Sequence, residues 1–191
     1  MQQLDLAIFR WINTWPDGLE PLFITLSEGN KWMPVRLLLL AIFGYLVYRK
    51  DTRLAAIVAV ISWPLANEVC DIFKNTFQMM RPSAELADAV IRVNRLTSFG
   101  TASAHSANMM SVAAAFLFLA RGPWAYAWLV IAILTGISRI YIGVHYPYQV
   151  LYGWAVGAIV AIAIGFIARE IQRRRAPQDE AETPEAASTT L

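Results

Sequence analysis

Five apolar blocks dominate this chain and leave it few ways to fold. Trp32 to Tyr48, Leu54 to Phe73, Ala102 to Ala120, Trp124 to Ile142 and Val150 to Ala168 are each long enough, or nearly so, to cross about 30 Å of hydrocarbon as a helix. Backbone in lipid must satisfy its own hydrogen bonds, which favours helices over loose strands. The predicted fold class is therefore all-α: a polytopic transmembrane helix bundle with five spans. The segment Leu4 to Leu26 is broken by Pro16, Asp17, Gly18 and Pro21; it is expected to lie in the interface, to re-enter, or to form a sixth span. MQQLD has no basic start and no uninterrupted apolar core follows it, so it does not read as a secretory signal. With 57% hydrophobic and 16% charged residues, the chain is too apolar for an ordinary soluble domain.

Charge and cysteine content exclude several classes of function. A formal net charge of +2 argues against nucleic acid as a partner, and no basic stripe interleaved with aromatics is present. Cys70 is the single cysteine, which rules out an intramolecular disulfide and a cysteine metal cluster; it reads as a buried apolar thiol. The organisation expected is one domain over residues 1–175 and a disordered cytoplasmic tail over 176–191, rich in Ala, Thr and Glu.

Basic residues orient the bundle. Arg49, Lys50, Arg53, Arg121, Arg169, Arg173, Arg174 and Arg175 fall at one end of the spans. Lys31, Arg36, Lys74, Arg81, Arg92, Arg95 and Arg139 fall at the other, and Arg10 belongs to neither. The totals barely differ, but the first group is packed tightly at span ends while three of the second sit in polar motifs. The basic turns are therefore expected in the cytoplasm and the long Lys74–Thr101 loop outside, with the protein in the cytoplasmic membrane.

That orientation collects the unusual polar residues at one membrane face. KNTFQMMRP (Lys74 to Pro82), TASAHS (Thr101 to Ser106) and SRIYIGVHYPYQ (Ser138 to Gln149) supply Lys74, Arg81, Arg139, Ser103 and both histidines, His105 and His145. Three cations and a hydroxyl suit phosphate oxygens, and Ser103 with His105 opens a helix, where free amides favour an anion. Two histidines suffice for phosphoryl transfer, one attacking phosphorus and one protonating the leaving oxygen. Taken singly, each cation is an ordinary snorkelling side chain and each histidine an ordinary structural one. Their convergence at one face is what points to function. Asp71 and Glu68, one and two turns before Lys74, are expected to pair with Lys74 or a motif arginine, or to line the headgroup entrance. Arg92 and Arg95 read as solvated loop charges.

These segments resemble the type 2 phosphatidic acid phosphatase superfamily of integral membrane lipid phosphatases. Its pattern is Lys, six residues, Arg-Pro; then Pro-Ser-Gly-His; then Ser-Arg, five residues, His, three residues, Asp. Lys74 to Pro82 matches the first segment. Ser103 and His105 match the second, with Ala102 and Ala104 in place of Pro and Gly. Ser138, Arg139 and His145 match the third, with Gln149 in place of Asp. The resemblance implies that His145 is the nucleophile, forming a phosphohistidine, and His105 the general acid that later activates water. It implies further that Lys74, Arg81, Ser103 and Arg139 bind the phosphoryl oxygens. It implies no cofactor and no metal.

Gln149 is the departure with chemical weight. Four residues after His145, on the first turn of a helix opened by Pro147, it is placed to reach the imidazole, accepting a hydrogen bond but carrying no charge. If it does so, Gln149→Leu loses most activity and Gln149→Asp keeps or raises it. The activity expected is hydrolysis of an amphiphilic lipid phosphate, with polyprenyl diphosphate (such as undecaprenyl diphosphate) first and phosphatidylglycerophosphate or phosphatidate next. The alternatives are a phosphotransferase that passes the group to another lipid, and a non-catalytic lipid-binding or transport relative with a decayed site.

Overall fold

A computed structural model describes residues 2–96 and 98–181. Among them it is all-helical: α1 Gln2–Asn13, α2 Glu20–Glu28, α3 Met33–Tyr48, α4 Arg53–Phe77, α5 Pro82–Glu85, α6 Ala104–Leu119, α7 Pro123–Tyr141 and α8 Pro147–Ala181, with single 3-10 turns at Asp17–Leu19 and Gly29–Lys31. Each of the five apolar blocks has become a helix. The runs Arg53–Glu85, Pro123–Tyr141 and Pro147–Arg175 are long and apolar enough to cross a membrane. Asp17–Lys31 and Met33–Tyr48 qualify together as a pair bent by 75°. These helices mark an integral membrane protein.

The block Ala102 to Ala120 yields a shorter helix than expected. Ser103 takes an extended conformation and caps α6, its side chain accepting from the Ser106 amide, so the polar TASAHS stretch is used at the helix entrance and 16 helical residues remain. Short length is tolerable because α6 is the central helix, packed against α4, α7 and α8 with Val112 to Phe116 buried. Its partner α8 approaches through Gly153 and Gly157, where any Cβ would collide with the Ser103 and Ala107 carbonyl oxygens. Small residues four apart let two membrane helices meet backbone to backbone. The start of α6 and the start of α8 are thereby locked in register.

The broken N-terminal segment forms α1 and α2 on either side of Pro16. Phe9, Ile12 and Phe23 are buried with Tyr141, Ile142 and Val144, while Leu4 and Trp11 remain exposed. Asn13 fastens this segment: its Nδ2 donates to the Val90 and Tyr141 carbonyls at 2.8 and 2.9 Å, and its Oδ1 accepts from the Val90 amide at 2.8 Å. Arg92 lies over the Tyr141 ring at 4.0 Å and donates to the Asn13 and Tyr141 carbonyls. Its side chain is 5% exposed; it is a buried clamp and not the solvated charge the sequence suggested. Arg95 is exposed, with one hydrogen bond to the Ser83 carbonyl. The long loop is thus stitched to the bundle. At the opposite end α8 runs on to Ala181, past the expected start of the tail; the rest of that tail, 182–191, lies outside the described residues.

Candidate active site

Five helix ends meet at one face. Lys74 lies in the last turn of α4, Ser103 caps α6 with His105 in its first turn, Arg139 lies in the last turn of α7, and Gln149 lies in the first turn of α8. The end of α2 joins them with Ser27 and Glu28. Helix α7 stops there because Gly143 adopts φ +83°, a left-handed turn that favours glycine. The chain then delivers His145 between α7 and α8.

The imidazole of His145 is buried and held from both sides. Arg81 Nη1 approaches Nε2 at 2.8 Å, and Nδ1 lies 3.0 Å from Gln149 Oε1. An arginine N–H only donates, so Nε2 is the acceptor and Nδ1 carries the proton. The Gln149 amide is itself oriented by backbone. Its Nε2 donates to the Met80 carbonyl at 2.8 Å and to Tyr148 Oη at 3.2 Å, and its Oε1 accepts from the Tyr146 amide at 3.2 Å. Glutamine therefore fixes a tautomer with the lone pair on Nε2. Burial, reinforced by the charges of Arg81 and Arg139, holds the His145 imidazole well below its usual pKa range, so the ring is neutral at pH 7.

Arg81 is committed elsewhere. Besides His145 it donates to the Val144 carbonyl (3.0 Å), the Ser98 carbonyl (2.7 Å), Ser98 Oγ (3.2 Å) and the Phe99 carbonyl (3.0 Å). All five N–H groups are engaged, binding the loop before α6 to the loop before α8. Gly100 sits in the angle between them. A Cβ there would lie 2.7 Å from Arg81 Cγ and 2.8 Å from Gln149 Oε1, so only a glycine fits.

The second half of the site is a cavity of about 350 Å³ whose polar walls are Glu28, Lys31, Asn94, His105 and Arg139. Here partners are missing. His105 Nε2 and Arg139 Nε are both buried without a hydrogen-bond partner among the described residues, the condition expected of atoms that await a ligand. Arg139 is 3% exposed and pairs with Glu28 Oε1 at 3.0 Å; its Nη1 also donates to Ser27 Oγ. Ser103 is wholly buried: its Oγ accepts from Ser106 Oγ at 2.9 Å and its amide donates to the Gln149 carbonyl at 2.9 Å. Lys74 pairs with Asp71 at 2.6 Å, the pairing expected for it, while Glu68 is exposed.

All seven sequence-derived residues thus lie at this face. His145, Gln149 and Arg81 form one network, Arg139 and His105 face the cavity, Ser103 caps the helix that carries His105, and Lys74 stands beside them on α4. Sequence reasoning missed Ser27, Glu28 and Gly100. The only trace of Glu28 was an acid, in SEGNK, at the end of a segment whose course was open.

The chain is similar to several known proteins. The chain is 31% identical over 147 residues to an undecaprenyl-diphosphatase of Sulfolobus acidocaldarius, covering 75% of this chain and 68% of that protein. It is 29% identical over 173 residues to the bacitracin transport permease protein BcrC of Bacillus licheniformis, covering 88% and 83%. The crystal structure of Aquifex aeolicus LpxE superposes with a TM-score of 0.70 at 24% identity, over 85% of this chain and 94% of that one, and shares its fold. The PAP2 superfamily model matches residues 52–172, which span α4 to α8 and every motif residue above, and the chain belongs to that superfamily.

Proposed function

We propose that this protein is a lipid phosphatase that removes the terminal phosphate of a polyprenyl diphosphate, working in the cytoplasmic membrane with its site on the outer face. The observation that carries the reading is the neutral His145, with its Nε2 lone pair defined by Gln149 and a ligand-sized cavity alongside. In the first step Nε2 attacks phosphorus and the N–P bond forms as the P–O bond to the lipid breaks. His105, acting as the imidazolium once the anionic substrate is beside it, gives its proton to the departing oxygen and is left as the neutral imidazole. In the second step water attacks phosphorus, His105 takes its proton, and the N–P bond breaks to release phosphate. Arg139, Lys74 and the amides at the start of α6 stabilise the charge on the equatorial oxygens. Arg81 serves the same transition state by turning the N–H that meets Nε2 toward an oxygen.

Several features support the finer points. Similarity to an undecaprenyl-diphosphatase, at 31% identity, favours the polyprenyl substrate, and the site at the ends of apolar helices lets the lipid tail stay in the bilayer. The basic turns at the far end of the bundle favour the outer face. Five spans, with α1 and α2 as an interfacial cover, fit the burial of Phe9 and Phe23 against the loop side. Residues 1–175 would then be the catalytic domain.

Purified wild type and His145→Ala, with EDTA present, should be compared for phosphate release from polyprenyl diphosphate, phosphatidylglycerophosphate and phosphatidate. Release fastest from the diphosphate, and about 10⁴-fold slower in the variant, is expected. Equal release from both proteins overturns the mechanism, and a faster phosphatidate rate reassigns the substrate. Similarity to a protein named as a transport permease favours one alternative, a binding or transport relative; lipid binding without turnover in the wild type would establish it.

A further inference from the structure

Resting on that reading of the clamp, we infer that Glu28 is a specificity-determining residue: a built-in anion that occupies Arg139 until a phosphate displaces it. Four observations meet at this carboxylate. It lies within an ion-pairing distance of 3.0 Å from Arg139 Nη1, a guanidinium whose planar fork fits phosphate as well as carboxylate. Ser27, its neighbour, accepts from the same Nη1. The other carboxylate oxygen, Oε2, is paired with Lys31, so Glu28 has a second cation to retire to when it leaves the first. Arg139 Nε and His105 Nε2, both without a hydrogen-bond partner among the described residues, belong to residues that line the same cavity as Glu28.

The consequence concerns the lipids that surround the enzyme. A phosphodiester headgroup carries one negative charge and meets an Arg139 already neutralised by one negative charge. It gains little by exchanging places and loses its hydration. A terminal phosphate or diphosphate brings more charge and more oxygens, and reaches Arg139, Lys31 and the unpartnered nitrogens together. Glu28 thus keeps the clamp from filling with bulk lipid or with product phosphate. Discrimination by a built-in competitor is a form of negative selection.

The test is competition against hydrolysis of the polyprenyl diphosphate in detergent micelles, with inorganic phosphate and phosphatidylglycerol as inhibitors. Glu28→Gln keeps the shape and removes the charge. It should tighten inhibition by phosphate about tenfold and make phosphatidylglycerol, weak against wild type, a measurable competitive inhibitor. Glu28→Asp should stay near wild type. Ser27→Ala, which loosens the same guanidinium and removes the Ser27 hydroxyl that donates to Glu28 Oε1 at 3.4 Å, keeps the carboxylate's charge; it should tighten phosphate inhibition about threefold and serves in its own right if Glu28→Gln does not fold. Unchanged or weaker inhibition in Glu28→Gln, or in Ser27→Ala, overturns the inference, because a carboxylate that merely braces α2 would weaken binding when removed. That result leaves the phosphatase reading standing, whereas a wild type without turnover removes it.

Discussion

The two halves of the site are built on opposite plans. Around His145 every polar atom has a partner: Arg81 uses all five N–H groups, and the Gln149 amide is held by two backbone atoms and a tyrosine hydroxyl besides the ring it orients. Around His105 and Arg139 buried nitrogens lack partners among the described residues, and both side chains line a cavity. A nucleophile must present one lone pair in one direction, which saturation secures. A phosphate pocket must leave donors for its guest, and tolerates an unsatisfied resting state. Substitutions in the first half should therefore lower kcat, and those in the second should move KM or inhibitor binding.

After loss of the nucleophile itself, the largest effect should come from Gln149. Gln149→Leu removes the acceptor for Nδ1–H and should lower kcat about 10³-fold while leaving KM little changed. The sequence alone suggested that Gln149→Asp would keep or raise activity, but the Met80 carbonyl reverses that expectation. A carboxylate there cannot donate to Met80, and the aspartate side chain is one methylene too short to take the place of the glutamine amide, so the aspartate variant should fall below wild type while exceeding the leucine one. Gln149→Glu also puts a charge beside Nδ1 that favours the imidazolium. In wild type the folded pKa is depressed, so neutral His145 persists below the ordinary histidine range near 6.5; the glutamate variant should lose activity at a higher pH as acid is added. Coincident acid limbs in kcat–pH profiles would show that Gln149 does not govern the ring.

Gly100→Ala sharpens the same comparison from the backbone side. Its methyl group would push on Arg81 and Gln149 together and should cost about 100-fold in kcat, with the helical circular dichroism of the wild type retained. A loss confined to KM would mean that the two halves are not separate. The smallest effect is expected from Asp71→Asn, which releases Lys74 from a partly exposed pair. Steady-state kinetics should show KM falling about two- to threefold at constant kcat, the scale of a partly screened ion pair.

Much of this architecture is legible in the amino-acid order because membrane helices announce themselves by long apolar runs. Blocks such as Trp124 to Ile142 appear as α7 Pro123–Tyr141 with almost the same bounds. The motif residues were equally legible, since charge and imidazole are conspicuous in an apolar chain. What escaped had no such contrast. Arg92 looked like any loop cation until Asn13 and the Tyr141 ring were beside it. The partner that reverses the Gln149→Asp expectation is the backbone carbonyl of Met80, and every residue has one of those. Glu28 belongs to a segment interrupted by prolines, and its contact with Arg139 spans 111 positions. No local periodicity encodes such a meeting.

The fastenings between the first residues and the last helices have a consequence for biosynthesis. Asn13 holds the Tyr141 carbonyl across 128 positions, and Asp5 accepts from the Tyr148 amide, at the start of α8, across 143. A chain emerging from the ribosome makes α1 first and must keep Asp5 and Asn13 waiting until α7 and α8 have entered the bilayer. Neither histidine can face a finished pocket before then. The site is thus among the last parts of the bundle to be assembled, because His145 and Gln149 reach their places only with α7 and α8.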